Sequence, residues 1–178
     1  VVEIAPAPNL DDSMRSALHE AAVRLAASVR YRNLGTFEFL VDAGADSNAG
    51  PGFAFIEANA RLQVEHTVTE EVTGVDLVQS QILLADGASL ADLGLDDAAF
   101  RPRGFAIQAR VNMETLRPDG TVLPGGGTLA VYEAPNGPGV RTDGFGYAGY
   151  QTSTAYDSLL AKVICHSGAP RFEAAIVK

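Results

Sequence analysis

The 178-residue chain is 47% hydrophobic, which is enough apolar material for the core of one or two ordinary domains. Its 13 basic and 22 acidic side chains leave a formal charge of −9, with the acids scattered rather than gathered in a tail, so neither nucleic acid nor an anionic membrane is an expected partner. A lone cysteine, Cys165, excludes an internal disulfide framework, suits a reducing compartment and reads as a buried core thiol.

The first residues, Val1-Val2-Glu3-Ile4-Ala5-Pro6, carry no basic or apolar leader and no starting Met, so the chain reads as entered in mid-protein. Residues 9–30 place Met14, Leu18, Ala21, Ala22, Leu25, Ala26 and Val29 three and four apart behind Asp11, Asp12 and Ser13, which predicts a capped amphipathic helix. Gly35 closes the connection to a β-branched and aromatic run at 36–42. Turn-forming residues fill 43–52 and a second apolar run starts at 53, so two strands joined by a generous hairpin loop are expected. Along them Glu38 shares a face with Thr36 and Leu40, and Glu57 with Phe55 and Asn59; antiparallel pairing would bring both carboxylates to one site. Residues 70–86 predict a second helix, striped by Val72, Val75, Val78, Ile82 and Leu83 and stopped by Gly87, with Gly74 as a weak point inside it. A polar, turn-rich connection at 89–102 marks a subdomain boundary. Beyond it the pattern changes to short strands at 104–112, 127–133, 139–143 and 162–166. The chain stops at 174–178 inside a helix opened by Ala169-Pro170, with no capping glycine, and so reads as truncated at both ends.

The chemistry concentrates in Phe55-Ile56-Glu57-Ala58-Asn59-Ala60-Arg61-Leu62-Gln63-Val64-Glu65-His66. Glu57, Asn59, Arg61, Gln63 and Glu65 fall at every second position, and in an extended chain they line one face. Such a row sets hard oxygen ligands suited to Mg²⁺ at one end and a guanidinium, an amide and a carboxylate at the other, where a planar oxyanion would fit between Arg61 and Gln63 with Glu65 in reach of its proton. Alternation alone favours a half-exposed strand with a merely solvated outer face.

The resemblance decides otherwise. This segment is similar, nearly residue for residue, to the signature of biotin carboxylases, the ATP-grasp modules of acetyl-, propionyl- and pyruvate carboxylases. The likeness runs through Val1-Val2-Glu3, Ala5-Pro6-Ala7-Pro8, Gly35-Thr36-Phe37-Glu38-Phe39-Leu40, Thr69-Glu70, Thr73-Gly74-Val75-Asp76-Leu77, the stretch 137–141 and Tyr156-Asp157-Ser158. It implies an α+β fold: the C-terminal part of an ATP-grasp domain, an antiparallel sheet with helices, at 1–88, a connection at 89–102, and an incomplete β-rich biotin carboxylase C-terminal subdomain at 103–178. It also implies ATP, Mg²⁺ (or Mn²⁺) and biotin as cofactors. Glu38, Glu57 and Asn59 would hold the metal; Glu38, Leu40 and Glu57 would meet ATP; Arg61, Gln63 and the backbone of Val64 would hold bicarbonate. Glu65 would be the base that deprotonates bicarbonate, and Arg110 the arginine that stabilises the biotin enolate. Carboxyphosphate would be the route to CO₂. Further partners implied are a biotin carboxyl carrier domain, a carboxyltransferase and a second copy of the chain, in the cytoplasm or the mitochondrial matrix. The family's N-terminal domain, ATP lid and phosphate-holding lysines precede the block that starts at Val1, so the chain by itself is expected to be inactive.

Three departures from the family pattern stand out. The loop 43–52 is longer than in compact bacterial subunits; Gln108 takes the place of a glutamate two residues before the arginine; and Arg141 matches a dimer-interface arginine whose neighbouring phenylalanine is here Pro138. Pro124-Gly125-Gly126-Gly127-Thr128 reads as a turn, because a phosphate loop needs a following Lys and helix. His19, His66 and His166 lack metal spacing, and Tyr156-Asp157-Ser158 is either a capping turn or a support near Arg110. A non-catalytic assembly domain and another ATP-grasp ligase are the competing readings; the latter would not be expected to carry Arg61-Leu62-Gln63-Val64-Glu65-His66.

Overall fold

The computed structural model describes residues 2–42, 52–96 and 101–178. Its elements run β1 (Val2–Ala5), α1 (Asp12–Ser28), β2 (Thr36–Val41), β3 (Phe53–Asn59), α2 (His66–Thr73), α3 (Leu77–Ala85), β4 (Phe105–Asn112), β5 (Glu114–Leu116), β6 (Val122–Pro124), β7 (Val140–Gly144), β8 (Leu159–Ser167) and α4 (Glu173–Ile176). The mixed α+β class with antiparallel sheets is as expected. The chain forms two compact units, Val1–Pro6 with Thr67–Thr73 and Pro102–Lys178, and Ala7–His66 with Gly74–Arg101. Each unit draws on separated stretches of the sequence, because β1 pairs with β4 across the length of the chain.

The first unit is built on a four-stranded antiparallel sheet in the order β1-β4-β8-β7. Alternation along β4 turns Ala106 and Gln108 inward, and Val68 and Val72 of α2 close over Ala106 and Ile164 with Ala5 packed beside them. Gly104 enters β4 at a φ of 69°, and a Cβ there would lie 1.8 Å from the carbonyl oxygen of Ser167, so this approach of two backbones admits glycine alone.

In the second unit the carboxylate of Asp11 accepts from the backbone N–H of Met14 at 2.7 Å and starts α1 as expected. The strands β2 and β3 pair antiparallel, with a bulge after Glu38. The loop that joins them lies, from 43 to 51, outside the described residues.

Several expectations need correction. The helix expected at 70–86 is two helices: α2 starts earlier, at His66, and the chain breaks at Gly74, whose φ of 74° no helix tolerates, before Asp76 caps α3 by accepting from Gln79 N–H at 2.7 Å. No strand forms at 127–133. Gly127 and Leu129 exchange backbone bonds with Thr152, Tyr150 and Gly149, which gives one isolated bridge, Thr128 to Gln151, too short for a ladder. The sequence reading missed β1 and the β5–β6 hairpin, and β8 extends beyond the expected 162–166. Cys165 is half-buried rather than buried.

Candidate functional site

The pairing of β2 with β3 sets Glu38 directly across from Glu57. Two like charges at such a position repel, and the pair is held by neutral donors: Asn59 Nδ2 donates to Glu38 Oε1 at 3.0 Å and to Glu57 Oε1 at 2.8 Å, and Gln63 Nε2 donates to Glu38 Oε1 at 2.9 Å. The bulge then pairs Phe39 with Phe55, and their rings meet edge to face at 5.8 Å. Glu57 and Phe55 therefore face opposite ways, against the regular alternation expected of β3. Leu40 continues β2 as an exposed side chain, opposite Ala54.

The extended row from Glu57 to Glu65 is the second correction at this site. β3 ends at Asn59, the chain bends at Ala60 and Arg61, and Val64 and Glu65 form a turn that leads into α2. The cause is the start of the helix: His66 N–H donates to Gln63 O at 3.3 Å, and His66 Nδ1 lies 2.6 Å from the same oxygen. Gln63 accordingly folds back onto Glu38 instead of projecting beside Arg61. Arg61 stays near the cluster, with Nη2 3.5 Å from Asn59 Oδ1.

Because a carboxylate only accepts, the amide of Gln63 must turn Nε2 to Glu38, and this leaves Oε1 as an acceptor. That oxygen is buried and meets no donor. Among the described residues no group of three His, Cys, Asp or Glu side chains could hold a metal. Glu38, Glu57 and Asn59 offer two carboxylates and an amide, an oxygen set that suits a hard cation completing its shell with water and phosphate.

Arg110 belongs to the other unit, on β4, where its Nε donates to Glu3 Oε1 at 2.6 Å. Glu3 also accepts from Gln108 Nε2 at 2.9 Å, and Gln108 Oε1 accepts from the hydroxyl of Thr67. Sequence reasoning gave Glu3 and Thr67 no role; the one available signal was Glu3 within the matched Val1-Val2-Glu3 block, since its partner Gln108 is 105 residues away. Asp157 accepts from Leu159 N–H at 2.7 Å, which is the capping-turn alternative, and Ser158 donates to Glu114. Asp157, Ser158 and Glu114 line a cavity of about 280 Å³ with Met113, Pro124 and Tyr156.

In the same unit Arg141 lies among three carboxylates. Its Nε and Nη2 meet the two oxygens of Asp143 at 2.8 Å each, and Nη1 meets Glu70 at 2.8 Å and Glu71 at 3.4 Å. The fork to Asp143, and then Glu70, pushes the guanidinium pKa up against an opposing effect of burial. Burial pushes Asp143 up, but bonding to Arg141 and the charges of Arg141 and Lys162 outweigh it, so its carboxyl is held below the usual carboxylate range. Burial chiefly pushes Lys162 down, with Arg141 adding repulsion and Asp143 opposing.

Residues 1–93 match the family described as carbamoyl-phosphate synthase L chain, ATP binding domain, and residues 108–178 match the biotin carboxylase C-terminal domain. The pyruvate carboxylase of Schizosaccharomyces pombe is 47% identical over 167 residues, which is 93% of this chain and 13% of that protein. The mitochondrial pyruvate carboxylase of Homo sapiens is 49% identical over 167 residues, 93% of this chain and 14% of that protein. The chain thus spans about an eighth to a seventh of the length of these curated relatives. Among solved structures, the biotin carboxylase domain of a single-chain bacterial carboxylase superposes with a TM-score of 0.86 at 49% identity, covering 99% of this chain and 38% of that one.

Proposed function

Because this chain belongs to the biotin carboxylase family, we propose that it carries the bicarbonate, metal and biotin side of a module that carboxylates biotin at the expense of ATP. Arg61, the amide of Gln63 and the backbone of Val64 hold bicarbonate, and Glu65 takes its proton. The bicarbonate oxygen then attacks the γ-phosphorus of ATP, ADP leaves, and carboxyphosphate forms. Carboxyphosphate breaks to CO₂ and phosphate, the phosphate takes the N1′ proton of biotin, and that nitrogen captures CO₂ while Arg110 offsets the enolate charge. Glu38, Glu57 and Asn59 would hold Mg²⁺ or Mn²⁺, with Glu38, Leu40 and Glu57 toward ATP; the ion when bound neutralises phosphate charge. Biotin arrives on a carrier domain that carries the carboxylated form on to a carboxyltransferase, in the cytoplasm or mitochondrial matrix.

The buried, donorless Oε1 of Gln63 beside the Glu38–Asn59 cluster is the observation that supports this reading best. A buried acceptor that no protein donor reaches is costly, which favours a polar ligand at this position. Gln63→Met in the complete carboxylase is therefore expected to raise KM for bicarbonate about tenfold, on the order of the 1–2 kcal/mol of a lost polar contact, with a smaller rise in KM for ATP because Glu38 also loses its Nε2 donor. An unmoved KM for bicarbonate would sink the assignment. The 178 residues alone are expected to show no turnover, since the family's lid and phosphate lysines are not among the matched blocks. Bicarbonate-dependent ATP hydrolysis by this polypeptide would refute that.

A further inference from the structure

The edge pairing of the four-stranded sheet sets Glu3 of β1 directly across from Gln108 of β4. Side chains two apart on a strand share a face, so Arg110 sits beside Gln108 and diagonal to Glu3. Each carboxylate oxygen of Glu3 has its own donor: Oε1 takes Arg110 Nε at 2.6 Å, and Oε2 takes Gln108 Nε2 at 2.9 Å. With its NH₂ committed to Glu3, Gln108 accepts the hydroxyl of Thr67 on its oxygen, in the first turn of α2. Thr67 and Gln108 are 0% exposed, and the Glu3 side chain is 14% exposed. A neutral amide at 108 can donate to Glu3, which a carboxylate there could not.

We infer that Glu3 is a positioning residue for the biotin half of the reaction, with Gln108 and Thr67 fixing Glu3 in turn; the inference rests on the proposed role of Arg110. A guanidinium is planar, and a bond at Nε fixes the plane of the whole fork rather than one of its tips. A cation that is to meet charge developing on an enolate contributes most when its orientation is set beforehand, and the buried run from Thr67 to Glu3 sets it.

The test separates two reactions of the complete carboxylase: bicarbonate-dependent ATP cleavage without biotin, and carboxylation of free biotin. Glu3→Gln is expected to lower kcat for biotin carboxylation about tenfold, as loss of an outer partner of a working group does, and to leave ATP cleavage within about twofold. Glu3→Asp, which keeps the charge, recovers part of the rate. A Glu3→Gln, Arg110→Gln double variant is no slower than Arg110→Gln alone, because the two side chains act as a unit. Equal losses in both reactions, or full additivity, overturn the inference. Loss in Arg110→Gln with none in Glu3→Gln overturns it while leaving the role of Arg110 in place; full biotin carboxylation by Arg110→Gln overturns both. If Glu3→Gln yields no folded protein, Thr67→Val interrupts the same run and is expected to give a smaller loss confined to the biotin step, equal losses again counting against it.

Discussion

Glu65→Gln is expected to lower both bicarbonate-dependent ATP cleavage and biotin carboxylation by roughly 10²–10⁴-fold, the range contributed by a positioned general base. The substitution keeps the shape and reach of residue 65 and removes its basicity together with its charge. Glu65 occupies the turn that delivers the chain from β3 into α2, next to His66, whose N–H closes that turn on Gln63 O. The amide is therefore expected to fold like the wild type, with KM for ATP little moved, because the metal carboxylates Glu38 and Glu57 and their donor Asn59 are separate side chains. The split from Gln63→Met is informative: loss of a holder moves KM for bicarbonate, whereas loss of the base lowers kcat for every product downstream of bicarbonate. Steady-state ATP cleavage with and without bicarbonate reads both. Turnover unchanged in Glu65→Gln would remove the base assignment and favour the non-catalytic assembly reading.

How much of this was legible in the sequence depended on the range of each interaction. The capping of α1 by Asp11 and the convergence of Glu38 and Glu57 follow from periods and pairings within a few dozen residues, and these appear as expected. The straight row from Glu57 to Glu65 does not, because a strand period cannot report that His66 already starts a helix and turns Gln63 back to Glu38. The bulge after Glu38 is equally silent, since one extra residue flips Phe55 without changing the apolar pattern. The helix break at Gly74 was flagged by residue type but not by the stripe, which continues through Val75 and Val78. The Glu3–Gln108–Thr67 run depends on sheet order, with partners 105 and 41 residues apart, and local patterns carry no record of that order.

Arg141→Met is expected to destabilise the fold of its unit by about 2–3 kcal/mol, below the full cost of breaking a buried pair because the arginine side chain is 34% exposed. The cost arises on the carboxylate side. Glu70 has a side chain only 8% exposed and loses its 2.8 Å partner, while Asp143 loses a two-pronged bond and keeps Lys162 at 3.6 Å. The arginine that the resemblance placed at a dimer interface is thus engaged within its own chain, joining β7 to α2, and its removal is expected to register in the unfolding midpoint. The pH dependence has a definite sign. Asp143 is held below its ordinary value of 3.8 when folded, so in acid the unfolded chain binds the proton more readily than the native one. The stabilisation is fully present above 3.8 and is lost as pH falls through the folded value of Asp143. Midpoints of wild type and Arg141→Met should therefore differ most at neutral pH and converge in acid. A difference that persists undiminished below the range in which Asp143 protonates would show that Arg141 acts through packing of its aliphatic stem rather than through its ion pairs.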